Sequence, residues 1–70
     1  MQLNRRGIVK WYDKVKGYGF VVEPNNPNDI FVHVSGLANA KTLDQGDVVH
    51  FNTDDGRKGE KAVDVVVINS

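Results

Sequence analysis

Turn-forming clusters interrupt this chain so often that nothing between them supports a helix of more than a turn or two. What remains is five short runs of β type. The first spans about Arg5 to Asp13, RRGIVKWYD. The second covers Tyr18 to Glu23 and ends in PNNPN, whose prolines and asparagines set a turn. The third is Asp29 to Val34, DIFVHV. A long connection, SGLANAKTLDQGD, has room for one helical turn. The fourth strand runs from about Val48 to Thr53, DDGRKG makes a hairpin, and Ala62 to Ile68 forms the fifth. Five such strands in 70 residues are too few for two full stacked sheets, and a small open sheet would leave its edges unpaired. The expectation is an all-β chain, residues 1–70 forming one domain, closed into a compact barrel.

Composition narrows the function classes. Without cysteine there is no disulfide scaffold, and the usual thiolate zinc sites have no ligands. The histidines are His33 and His50 alone, far apart in sequence, so no metal and no cofactor is expected. The longest apolar run, Val65 to Ile68, is far short of a membrane span. The N-terminal MQLNRR has no apolar segment behind its arginines, so no signal peptide and a cytoplasmic location are expected. Formal charge sums to zero, which disfavours a strongly basic, duplex-wrapping protein. The distribution is uneven, however. Arg5, Arg6, Lys10, Lys14 and Lys16 crowd the first strand and turn, while Asp44, Asp47, Asp54, Asp55, Glu60 and Asp64 come later. One face can be locally positive on a neutral molecule, although a solvated strand face would give the same pattern.

Strand parity separates core from surface. In the second strand Tyr18, Phe20 and Val22 share one face, and Gly19, Val21 and Glu23 share the other. In the third, Phe31 and His33 oppose Ile30, Val32 and Val34. Val21, Ile30 and Val32 make the natural core. Tyr18, Phe20, Phe31 and His33 are then displayed outward, beside lysines. Bases of single-stranded nucleic acid stack on such rings for about 1–3 kcal/mol each, lysines and arginines hold the phosphates, and glycine beside the rings lets a backbone approach closely. The alternative is that the rings pack on one another or beneath the long loop.

Three motifs then carry a resemblance. GIVKWYD resembles the opening Gly-x-Val-Lys-Trp-Phe-Asn of the bacterial cold-shock proteins. KGYGFV and DIFVHVS resemble that family's two ribonucleoprotein motifs, and KTLDQGDVVHF and GRKGEKAVDV are similar to its fourth strand and closing hairpin. The resemblance covers nearly the whole chain. It implies a single cold-shock domain, a five-stranded antiparallel barrel of the oligonucleotide-binding type (OB-fold). It also implies that Lys10, Trp11, Lys16, Tyr18, Phe20, Phe31 and His33 contact single-stranded RNA or DNA. Trp11, Phe20, Phe31 and His33 would stack bases with Tyr18 in support, while Lys10, Lys16 and Arg57 would face phosphates or base edges. Asp29 matches a position that hydrogen-bonds a base edge.

Three departures bear on affinity. Val34 and Ala40 stand where the family usually has phenylalanines, and Asp13 replaces an asparagine; Tyr12 for phenylalanine is milder. The expectation is a non-catalytic RNA chaperone, monomeric, with a shortened binding track and weaker affinity than a full-platform relative. Enzyme readings find little support. Asp29 and His33 lie too far apart along a strand to pair, no nucleophile accompanies them, and there is no Gly-Lys-Ser/Thr phosphate loop. The stronger rival is a protein-interaction module, with Val65 to Ile68 supporting dimerisation by strand pairing or exchange.

Overall fold

The computed structural model describes residues 5–56 and 59–68. Its five strands are β1 (Arg5–Asp13), β2 (Tyr18–Val22), β3 (Ile30–His33), β4 (Val48–Gly56) and β5 (Gly59–Val67). They close into a barrel in the order β1-β2-β3-β5-β4, with β4 returning to β1. Four of the pairings are antiparallel, and the barrel shuts through a parallel pair, Phe31 opposite Lys61 and Val32 opposite Ala62. The expected strands are all present, and the last hairpin is tighter than expected: β4 and β5 stay paired out to Gly56 and Gly59. Of its turn, Arg57 and Lys58 lie outside the described residues. The helical turn expected in the long connection is a 3-10 turn, Val34–Gly36.

The core follows from parity. Val9, Val21, Ile30, Val32, Leu43, Val49, Phe51, Ala62 and Val65 are buried, and among the described residues no polar or charged side chain joins them. Leu43 comes from the long connection and is fully buried in the core. Val34 departs from its expected inward face, because β3 ends at His33 and the turn leaves Val34 40% exposed.

Two bulges break simple alternation. On β1, Val9 faces Val21 and Trp11 faces Phe20, so Lys10 is an extra residue. Inward-facing Val9 would otherwise send Trp11 inward too; after the bulge Trp11 points out and Tyr12 packs against the core. On β5 the register slips opposite Phe51, where Asp64 takes a left-handed φ of 54°. That slip leaves Asp64 exposed and turns Val65 into the core.

Gly19 is needed for the first of these contacts. A Cβ there would lie 2.2 Å from the Trp11 carbonyl oxygen and 2.8 Å from Tyr12 Cα. The backbone that this glycine lets in is therefore β1's own. The β1–β2 turn is pinned by Asp13, whose Oδ1 accepts from the N–H groups of Val15 and Lys16, both at 2.9 Å. Gly17 completes it at φ 75°, a conformation that suits glycine.

Candidate nucleic-acid interface

β1, β2 and β3 bring five rings onto one outer face. Trp11 lies 5.4 Å from Tyr18 and 5.5 Å from Phe20 between centroids. Phe31 sits at the centre, 6.0 Å from Tyr18, 5.9 Å from Phe20 and 6.5 Å from His33, nearly parallel to the first and last. The cross-strand register explains the grouping: Trp11 opposes Phe20, Phe20 opposes Phe31, and Tyr18 opposes His33. None of the five is buried, and Trp11 is 38% exposed. The rings therefore neither form a core nor lie under the long connection. An apolar surface of this kind costs solubility unless something covers it.

The rings are held in place. The Ser35 N–H donates to Nδ1 of His33 at 3.1 Å, and Ser35 Oγ lies 2.9 Å from the same nitrogen. An Nδ1 that accepts from a backbone N–H leaves Nε2 as the donor of the neutral ring. Gly17 accepts from the Val34 N–H at 2.8 Å, which ties the β1–β2 turn to the end of β3.

Charged groups rim the face. Lys10 Nζ donates to Asp29 Oδ2 at 2.9 Å, so two of the expected ligand-facing residues are paired with each other in the free protein. Both are at the surface, so the pair is weak and easily exchanged. Lys16 is exposed on the β1–β2 turn. Lys14 belongs elsewhere: its ammonium bridges to Asp44 at 2.6 Å and joins the turn to the long connection. Arg57 lies outside the described residues.

One cation was missed at the sequence level. Lys61 stands opposite Phe31 across the parallel pair, exposed, and follows the outward parity set by buried Ala62. The strand was expected to start at Ala62, three residues after its start at Gly59, which left Lys61 outside it. The signal was present in the alternation of Lys61, Ala62 and Val63, but only the β3–β5 register reveals that Lys61 adjoins the rings. Past His33 the surface dips into a cleft of about 200 Å³ lined by His33, Ser35, Leu37, Lys61, Val63 and Asp64. Val34 is exposed beside Gly17 of the β1–β2 turn, and Ala40 is half-buried in the long connection.

The arrangement offers stacking faces, outward hydrogen-bonding groups and cations. Among the described residues no cluster of three or more His, Asp or Glu side chains could hold a metal ion, and no helix is long and apolar enough to cross a membrane.

The chain as a whole is similar to known proteins. The family model described as the 'Cold-shock' DNA-binding domain matches residues 5–68. The cold shock-like protein CspB of Yersinia pestis is 44% identical over 64 residues, covering 89% of this chain and 91% of that protein. The cold shock protein CspV of Vibrio cholerae is 39% identical over 70 residues, 97% of this chain and all of that protein. A cold shock-like protein of Thermotoga maritima is 45% identical over 65 residues, with 90% and 97% covered. With barrel, motifs and relatives in agreement, the chain belongs to the cold-shock domain family, a family of nucleic-acid-binding OB-fold barrels.

Proposed function

We propose that this chain binds single-stranded RNA and DNA in the cytoplasm, as a monomer and a single domain over residues 1–70, and acts as a non-catalytic RNA chaperone. The observation that carries the reading is the five-ring face. Duplex bases are already stacked and present edges and phosphates, whereas unpaired bases have open π-faces that match Trp11, Phe20, Phe31 and His33. Binding only the open strand shifts a hairpin towards its melted form by mass action, with no nucleotide hydrolysis.

Lys16, Lys61 and Arg57 take phosphates. Lys10 and Asp29 meet a base edge as a donor and acceptor pair, exchanging their mutual contact for the ligand. Val34 and Ala40 shorten the stacking track, so affinity falls below that of a relative carrying both phenylalanines. Each lost stack is worth about 1–3 kcal/mol, or roughly one to two decades in Kd.

The rival reading, strand-to-strand association through Val65 to Ile68, lacks a free edge. β4 lies on one side of β5, and Leu37, Ala38 and Asn39 occupy the other beyond Ala62. The Ala38 N–H donates to the Val65 carbonyl at 2.7 Å, and the Asn39 side chain bonds both backbone groups of Val67.

One titration series tests the proposal. Phe31→Ala weakens single-strand binding by about 1–3 kcal/mol while leaving most of the stability, because the ring is not core. The unaltered chain binds the same oligonucleotide more weakly than a full-platform relative at matched salt. Collapse of the Phe31→Ala fold, or affinity equal to that relative's, contradicts the respective claim.

A further inference from the structure

The outer face does not end at the rings. Two residues along from Phe20, Val22 opposes Ile8, and Ile8 in turn opposes Val48 on β4. Ile8 is 48% exposed, unusual for an isoleucine within a strand. Ile8, Pro24 and Val48, with the Gly7 backbone and Arg6, line a shallow, mostly apolar cleft of about 290 Å³. That is near the lower end of the range that holds small ligands.

Arg6 stands on the lip of this cleft, exposed, opposite His50. Its neighbour Arg5 is held by Glu23 and Glu60, and Lys10 and Lys14 are each paired. No ion pair among the described residues engages Arg6. An unengaged guanidinium beside a flat apolar depression has the chemistry of a nucleotide site: an apolar floor for the base and a planar fork for its phosphate.

We infer that the cleft formed by Arg6, Ile8, Pro24 and Val48 is an added subsite, in which a strand already seated on the rings continues across β1 and places one further nucleotide. The inference rests on the reading of the rings as a single-strand platform. Register continuity from Trp11 and Phe20 through Val22 to Ile8 puts both surfaces on one path. Ile8 and Pro24 cover one base face, and Arg6 binds the connecting phosphate. Because Ile8 gives no hydrogen bonds, the subsite adds affinity without base preference.

The experiment measures affinity for oligothymidylates and oligouridylates, lengthened one nucleotide at a time over the span of about 4–16 nucleotides that one such barrel accommodates. Extensions are made at either end. The unaltered protein is compared with an Arg6→Ala, Ile8→Ser double variant at one moderate salt concentration. Both positions are exposed, and unchanged binding of the shortest oligonucleotides certifies the variant's fold. The unaltered protein gains a final step of about three- to ten-fold at one length and one end, the return on one phosphate and one covered base. The variant lacks that step, and its salt slope on long strands falls by about 0.7.

The same step in both proteins, or no step in the unaltered one, overturns the subsite. So does an equal loss at every length, which would mean that the residues act through the rings. If no oligonucleotide of any length binds, the platform reading falls and the subsite with it. Sedimentation of both proteins supplies the last outcome. Self-association that the double variant abolishes, with no length step, makes this face a contact between copies and overturns the proposal.

Discussion

At the scale of single residues, parity within a strand was enough to assign Tyr18, Phe20, Phe31 and His33 outward and Val21, Ile30 and Val32 inward. Both sets follow from side chains alternating every residue. What parity leaves open is partnership. Nothing in the sequence says that Lys10 meets Asp29, or that Lys61 adjoins Phe31, because each pair is joined only by register between strands. Tyr12 shows the same limit. Its substitution for phenylalanine looked mild, yet its hydroxyl is buried with no hydrogen-bond partner. Burial, with a smaller contribution from Asp13, raises the phenol's pKa above its usual value. A buried hydroxyl without a partner costs about 1–3 kcal/mol. Tyr12→Phe is therefore expected to hold or raise stability, by about 1 kcal/mol, in denaturant unfolding. A clear loss of stability would mean that the hydroxyl is satisfied after all.

At the scale of elements, the bulges set the limits of what a sequence reading can reach. Trp11 came to the site through its residue type and the family resemblance and not through strand parity, since alternation from Val9 sends it inward. The inserted Lys10 is what turns it out. That insertion requires β1 to lie close over β2 at Gly19, where even a methyl group would collide with main chain. Backbone atoms cannot swing aside as a flexible side chain can. Gly19→Ala is expected to cost at least about 2 kcal/mol and to displace Trp11, changing its fluorescence in whatever fraction still folds. Near-native stability with unchanged emission would show that the bulge does not depend on this approach. The parallel closure between β3 and β5 was not legible either, since strand count gives the number of staves and not their directions. The hairpin β4–β5 ran longer than its apolar runs because backbone pairing continues past the side chains that face the core.

At the scale of the whole molecule, five strands and one core make a body of 25 × 24 × 23 Å, and closure leaves no full edge to protect. Charge contributes through a cluster at the end of β1 away from Trp11. The Arg5 guanidinium binds Glu23 and Glu60, donates to Thr53 at 3.1 Å, and lies 5.9 Å from the Phe51 ring centre, linking β1, β4 and β5 to the residue after β2. Hydrogen bonds from Arg5 hold both carboxyls below their usual pKa, with Asn26 assisting at Glu23. A depressed folded-state pKa stabilises the fold above the unfolded value, and that contribution fades as pH falls through the folded one. Glu23→Gln should therefore lower the unfolding midpoint near neutral pH, and the gap from the unaltered protein should close well below pH 4.5. A gap independent of pH would mean that the cluster contributes by packing alone. None of this was readable beforehand, because Arg5, Glu23 and Glu60 are distant in sequence and meet only when the barrel shuts. The central claim concerns the opposite end of β1, and Trp11, the sole tryptophan, reports on it directly. Its fluorescence should be quenched, saturably, by short single-stranded oligonucleotides and left unchanged by a duplex of the same sequence; equal quenching by both, or by neither, would contradict the account.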